Sequence, residues 1–172
     1  MGNANTVYKA KKAASLANPT SASTFVQSDD STKPALVYFP QQVAGSSASF
    51  LVRARGRTTT VGSHNNTPKL SLGTSATAAS NTIFAAATAR AVATTTAVWC
   101  IEATLIWNGT SNLLKGSFWA LNGSTAVLDV PAVTTSVTAD LSVPGVGVTV
   151  EITVATGGGD TAYLDELSLE VL

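Results

Sequence analysis

The chain of 172 residues has one cysteine, one histidine and few charges. Cys100 alone forms no intrachain disulfide, which leaves the redox compartment open. One Cys and one His cannot furnish a zinc site of the Cys/His type. Charged residues make up 12% of the chain, about half the usual share for a soluble domain. Ten basic and ten acidic side chains give a net charge of +0, so no bulk basic field points to nucleic acid as a partner. No apolar run approaches the ~18 residues of a membrane-spanning helix. The opening M-G-N-A-N-T-V-Y-K-A-K-K lacks the apolar centre of a secretory signal. It fits the loose acylation pattern M-G-x-x-x-[ST], which means nothing in a bacterial host. No membrane partner is expected.

Catalytic motifs are missing as well. There is no G-x-S-x-G elbow, H-E-x-x-H pair or phosphate-binding loop. His64 sits in G-S-H-N-N-T-P, a turn-forming stretch where a lone histidine reads as solvated. The acids are Asp29, Asp30, Glu102, Asp129, Asp140, Glu151, Asp160, Asp165, Glu166 and Glu170, and no spacing favours two of them as a glycosidase pair. No catalytic residue, cofactor or metal is assigned, and an enzyme is not expected.

What the chain does have is Thr, Ser, Ala, Val and Gly, the composition of strands and tight turns. From residue 46 the apolar residues follow a period of two. In F-L-V-R-A-R-G-R, Phe50, Val52 and Ala54 share one face, with Leu51, Arg53, Arg55 and Arg57 on the other. In V-G-V-T-V-E-I-T-V, Val146, Val148, Val150, Ile152 and Val154 point in, leaving Thr149, Glu151 and Thr153 to point out. The alanine-rich stretch 83–92 is ambiguous, and its neighbours tilt it toward strand. Asn108-Gly109 predicts a two-residue hairpin turn, pairing Glu102 with Lys115 and Trp99 with Phe118. Asn122-Gly123 marks a second turn. The expected fold is all-β: an antiparallel β-sandwich of jelly-roll type with roughly eight or nine strands over residues 46–172.

Residues 1–45 differ. They are polar, carry Lys9, Lys11 and Lys12, and are interrupted by Pro19, Pro34 and Pro40. They read as an extended N-terminal arm that orders against a partner, with Leu36, Tyr38 or Phe39 as anchor.

Three further features bear on function. Asp165 falls on the inward row of the last strand with Tyr163, Leu167, Leu169 and Val171. Calcium would need G-G-G-D-T-A-Y-L-D to supply Asp160, Asp165 and loop carbonyls. With no denser acidic cluster, Asp165 is expected to accept hydrogen bonds from buried backbone and Asp160 to end a turn. Arg53, Arg55 and Arg57 form a basic stripe that either docks an acidic surface or phosphates, or is solvated. Trp99 and Trp107 fall on the inner face. Trp119 falls on the outer one, as a candidate for a sugar platform or a subunit interface.

The runs F-L-V-R-A-R-G-R-T-T-T, P-K-L-S-L-G-T-S, V-W-C-I-E-A-T-L-I-W-N-G-T-S, L-L-K-G-S-F-W-A-L-N-G and D-T-A-Y-L-D-E-L-S-L-E-V-L resemble, over about residues 48–172, jelly-roll structural proteins of tailed bacteriophages. Among these the resemblance best suits capsid decoration (cement) proteins. It implies a homotrimer on the outer surface of the virion that bridges major capsid proteins. The contacts it suggests are Lys9, Lys11, Lys12, Leu36, Tyr38, Phe39, Arg53, Arg55 and Arg57. The ending A-Y-L-D-E-L-S-L also resembles the last strand of jelly-roll carbohydrate-binding modules, where an acid at this place often belongs to a structural calcium site. The alternative is therefore a glycan-binding module of a phage fibre or surface adhesin.

Overall fold

The alternating segments form strands in the computed structural model of the protein, which describes residues 6–42, 45–92, 96–109, 114–122, 127–129, 135–137, 140–155 and 158–172, with backbone alone for 114–122, 127–129 and 135–137. In chain order the strands are β1 (Val7–Lys9), β2 (Leu16–Ala17), β3 (Ser23–Thr24), β4 (Leu36–Tyr38), β5 (Ala48–Thr59), β6 (His64–Leu72), β7 (Thr82–Ala86), β8 (Arg90–Val92), β9 (Thr96–Trp107), β10 (Leu114–Asn122), β11 (Val127–Asp129), β12 (Thr135–Val137), β13 (Gly147–Ala155) and β14 (Thr161–Val171). A 3-10 turn spans Ala78–Ser80. The ambiguous stretch 83–92 is strand, split into β7 and β8.

All pairings between these strands are antiparallel, and they build two sheets. The larger has eight strands in the order β1-β14-β5-β9-β10-β11, with β2 also on β14 and β12 also on β10. The smaller has six, in the order β3-β13-β6-β7, with β4 on β13 and β8 on β6. The chain passes from β5 in one sheet to β6 in the other, and from β13 back to β14. The partners travel together: β5 lies on β14 and β6 on β13. That wrapped path makes the sandwich jelly-roll-like.

The inner rows of β5 and β13 are as expected. Phe50, Val52, Ala54, Val148, Val150, Ile152 and Val154 are each 0% exposed. Trp99 and Trp107 also lie in the core, although among the described residues the indole N–H of each lacks a hydrogen-bond partner. Gly56 faces Trp99: a Cβ there would collide with the indole ring and with the Tyr163 carbonyl oxygen.

Four expectations are corrected. First, β9 and β10 pair with Leu114 opposite Trp107, Lys115 opposite Ile106 and Trp119 opposite Glu102. The expected two-residue turn is therefore not formed, and the carbonyl of Gly109, whose φ is positive, accepts the Gly45 N–H at 2.7 Å. Glu102 is instead engaged from the other side by Arg53.

Second, β14 carries a bulge. Leu164 stands opposite Gly56 and Glu166 opposite Arg55, which leaves Asp165 as the extra residue. The bulge reverses the strand's parity. Ala162, Leu164, Leu167 and Leu169 are therefore buried, and Asp165 is exposed.

Third, Thr149 and Glu151 are 0% and 1% exposed, so the outer face of β13 is not solvated. Residues 73–81 fold over it. Asn81 Nδ2 donates to Thr24 Oγ1 at 3.4 Å and to the Ser75 carbonyl at 3.1 Å, and Asn81 Oδ1 accepts the Ser75 N–H. Burial pushes the Glu151 carboxyl above its ordinary range, opposed in part by Ser71, Asn81 and the charge of Lys69. Its Oε1 has no hydrogen-bond partner.

Fourth, the first 45 residues are not a free arm. β1 and β2 extend the larger sheet and β3 and β4 the smaller. Phe25, Ala35, Val37 and Phe39 are buried in the shared core. Phe25 lies 6.3 Å from Trp99, and Phe39 meets Phe50 edge-on at 5.1 Å. Polar spacing and prolines point to extended chain. They did not reveal that the extended chain has apolar sites on its own domain.

Candidate functional site

Two openings collect the residues that the sequence singles out. The first lies where the edges of the two sheets approach each other. β1 borders the larger sheet and β4 the smaller. Between them is a cleft of about 250 Å³ lined by Tyr8, Lys9, Lys11, Gln27, Leu36, Val37 and Tyr38. Tyr38 is 57% exposed and Tyr8 37%. Lys9 lies 3.8 Å from Glu166 and Lys11 3.5 Å from Asp29, both loose, solvated pairs. Gln27 Nε2 donates to the Pro34 carbonyl at 3.2 Å, which fixes the amide at the wall. The fold thus unites Lys9, Lys11, Leu36 and Tyr38. Lys12 lines a separate hollow with Arg57, Tyr163 and Asp165. Phe39 is 6% exposed and belongs to the core. Sequence reasoning missed Tyr8 and Gln27. The exposed tyrosine two residues after Thr6 was the available signal, and it was absorbed into the arm.

The second opening is on the outer face of the larger sheet. Alternation along β5 sets Arg53, Arg55 and Arg57 in one row. Arg53 Nε donates to Glu102 Oε2 at 2.8 Å, and its Nη1 lies 3.6 Å from Glu170. Arg57 contacts Asp165 at 3.2 Å and lies over the Tyr163 ring, 4.5 Å from its centroid. Arg55, exposed between them, has no ion-pair partner among the described residues. A groove of about 290 Å³ runs beside it, lined by Arg53, Arg55, Gly56, Val98, Trp99, Cys100, Ile101 and Glu102. Trp119 stands opposite Glu102 in the β10 register, and its side chain lies outside the described residues.

Asp160 ends the turn at 158–159 as expected, and it also takes the buried-acceptor role expected of Asp165. Asp165 makes a solvent-facing pair on the bulge. Asp160, 1% exposed, is the buried acceptor: Oδ1 takes the Val61 N–H at 3.0 Å, and Oδ2 lies 2.7 Å from His64 Nδ1. Its carbonyl accepts the Asn18 N–H at 2.8 Å, and Asn18 Oδ1 in turn accepts the Gly159 N–H. His64 is thus a clamp between β6 and the loop entering β14. Among the described residues, no group of three or more His, Cys, Asp or Glu side chains is placed to hold a metal ion.

No family model and no curated protein matches the chain. Among solved structures, it is similar to a lectin from Bauhinia forficata in complex with GalNAc, at 10% identity and TM-score 0.35, over 98% of this chain and 99% of that one. A protein of unknown function from Shewanella oneidensis MR-1 is matched at 10% identity and TM-score 0.36, over 98% of this chain and 77% of that one. The CBM2 module of the evolved Dit of Lactobacillus casei BL23 phage J-1 is matched at 11% identity and TM-score 0.33, over 96% of each chain.

Proposed function

We propose that this chain is a non-catalytic structural protein of a tailed-phage virion, which decorates the outside of the capsid as a homotrimer and braces it by bridging major capsid proteins. One observation carries the reading beyond the resemblance. Lys9, Lys11, Leu36 and Tyr38, expected as contacts although they lie on separate segments, converge on one cleft at the open seam of the sandwich. Two ammonium groups beside exposed phenol and aliphatic surface suit an acidic, apolar-edged protein element. The cleft is built from strands already paired to the domain, so docking there avoids most of the ordering cost that a loose arm would incur. Binding the assembled shell, repeated by its symmetry, stabilises it by linkage.

The deciding measurement is copy number in purified particles by quantitative mass spectrometry. A number comparable to that of the major capsid protein supports decoration; a handful of copies per particle overturns it. With heads in hand, Tyr38→Ser combined with Lys11→Glu is expected to weaken binding by about tenfold or more without moving the melting temperature.

A second reading has its own observation. Two exposed tyrosines and a fixed amide line the same cleft, and rings with an adjacent hydrogen-bonding side chain suit a sugar. Saturable glycan binding that Tyr38→Ala abolishes would select this reading over decoration.

A further inference from the structure

The row of arginines on β5 is not uniform. Arg53 is engaged by Glu102 and Glu170, and Arg57 by Asp165 and Tyr163. Glu166, which stands opposite Arg55 in the β14 register, lies instead 3.8 Å from Lys9. Each acid on this stretch of the face has a cation other than Arg55. The guanidinium of Arg55 opens onto the groove that Val98 and Cys100 border on β9. Val98 is 65% exposed, more than any other large apolar residue described. Among the described residues, the groove therefore offers one arginine without an ion pair, beside an apolar flank.

We propose that this groove seats a single carboxylate side chain of a protein partner, clasped by Arg55 and flanked by an apolar residue resting on Val98. The inference rests on the reading of the chain as a surface-binding structural protein and names what one of its contacts recognises. Charge decides the ligand class. One free guanidinium balances a monoanion, and its planar fork matches a carboxylate. Glu102 lines the same groove, its charge largely met by Arg53 at 2.8 Å, and what repulsion is left weighs more on the dianion of a phosphate than on a single carboxylate. The groove also lies apart from the tyrosine cleft, with which it shares no lining residue. A partner that bridges two surfaces has use for both.

The test uses the isolated full chain, with amide shifts followed by NMR during titration with the capped peptides Ac-Leu-Glu-Leu-NH2 and Ac-Leu-Gln-Leu-NH2. The glutamate peptide is expected to shift the amides of Gly56, Val98 and Cys100. The glutamine peptide, and the glutamate peptide against Arg55→Gln, should bind about tenfold or more weakly. Arg57→Gln should bind as the parent does. Equal binding of the two peptides, an unaffected Arg55→Gln, or equal shifts with inorganic phosphate would each overturn the assignment. Because this titration contains no capsid, it stands or falls separately from the copy-number measurement.

Discussion

Strands β5 and β13 read almost alike, each with apolar residues on one face and polar or charged residues on the other. In the folded protein their inner faces behave alike and their outer faces do not. The outer row of β5 stays open, with Arg55 and Arg57 in solvent and the charge of Arg57 met by Asp165 on the neighbouring β14. The outer row of β13 is closed by the 73–81 segment and by the edge strands that the first 45 residues supply, and Glu151 is buried with it. Period-two patterning specifies which residues face the core. What covers the other face is decided by chain that arrives from elsewhere, and alternation carries no record of that. The open row can recognise a partner. The closed row can only stabilise or strain the fold.

Five changes would break or sharpen this contrast. The largest effect is expected on the inner side, where the N-terminal region contributes to the core. Phe25→Ala empties a fully buried site beside Trp99 and should cost about 3–4 kcal/mol, read by denaturant unfolding. Deleting residues 1–40 should destabilise the domain further rather than leave it folded and merely unable to bind. A truncated chain with unchanged stability would sink this account of the arm.

Next is the tether of the cover. Asn81→Ala removes its hydrogen bonds to Ser75 and Thr24 and should cost about 1–2 kcal/mol. It should also speed hydrogen exchange at β13 while leaving β5 unchanged.

The buried acid itself follows. Burial raises Glu151 above its ordinary value of 4.5, so the folded state keeps a proton that the unfolded chain releases. Stability from this group is therefore fully present below the ordinary value, falls as pH rises toward the raised folded value, and then levels. Glu151→Gln should remove that slope, gaining stability near pH 8 and little near pH 4, measured by thermal melts. A variant that melts lower than the parent at both pH values would contradict the picture of a carboxyl penalised by burial.

On the open face the effect should be smallest. Asp165→Asn breaks a half-exposed pair with Arg57 and should change stability by less than about 0.5 kcal/mol, with any change fading as salt is added.

The sequence made local facts legible and left distant ones hidden. The apolar rows of β5 and β13, the inward tryptophans of β9 and the strand nature of 83–92 were readable because neighbouring residues carry them. The parity of β14 was not, since a single extra residue at Asp165 reverses it and a bulge is set by the partner strand, here at Gly56. The β9–β10 register failed for a similar reason: Asn108-Gly109 is a turn signal, but Gly109 answers to Gly45 rather than to β10. The scaffold role expected of Asp165 belongs to Asp160, whose partner His64 lies 96 positions away. Of the seam cleft, Lys9, Lys11, Leu36 and Tyr38 were named in advance as contacts. Their meeting could not be foreseen, because it depends on β1 and β4 joining different sheets.

The pairing of β13 and β14 also has a consequence in time. Both sheets are organised around these two strands: β14 is flanked by β1, β2 and β5, and β13 by β3, β4 and β6. Residues 147–171 leave the ribosome after all of those neighbours. The early strands must therefore wait for this pairing while about 75 to 150 residues of chain are made. Contacts so distant in sequence make for slow folding, on the order of milliseconds to seconds, and leave apolar edges open meanwhile. The scarcity of long apolar runs in the waiting segments then acquires a second use, since it keeps an unfinished chain from finding another unfinished chain first.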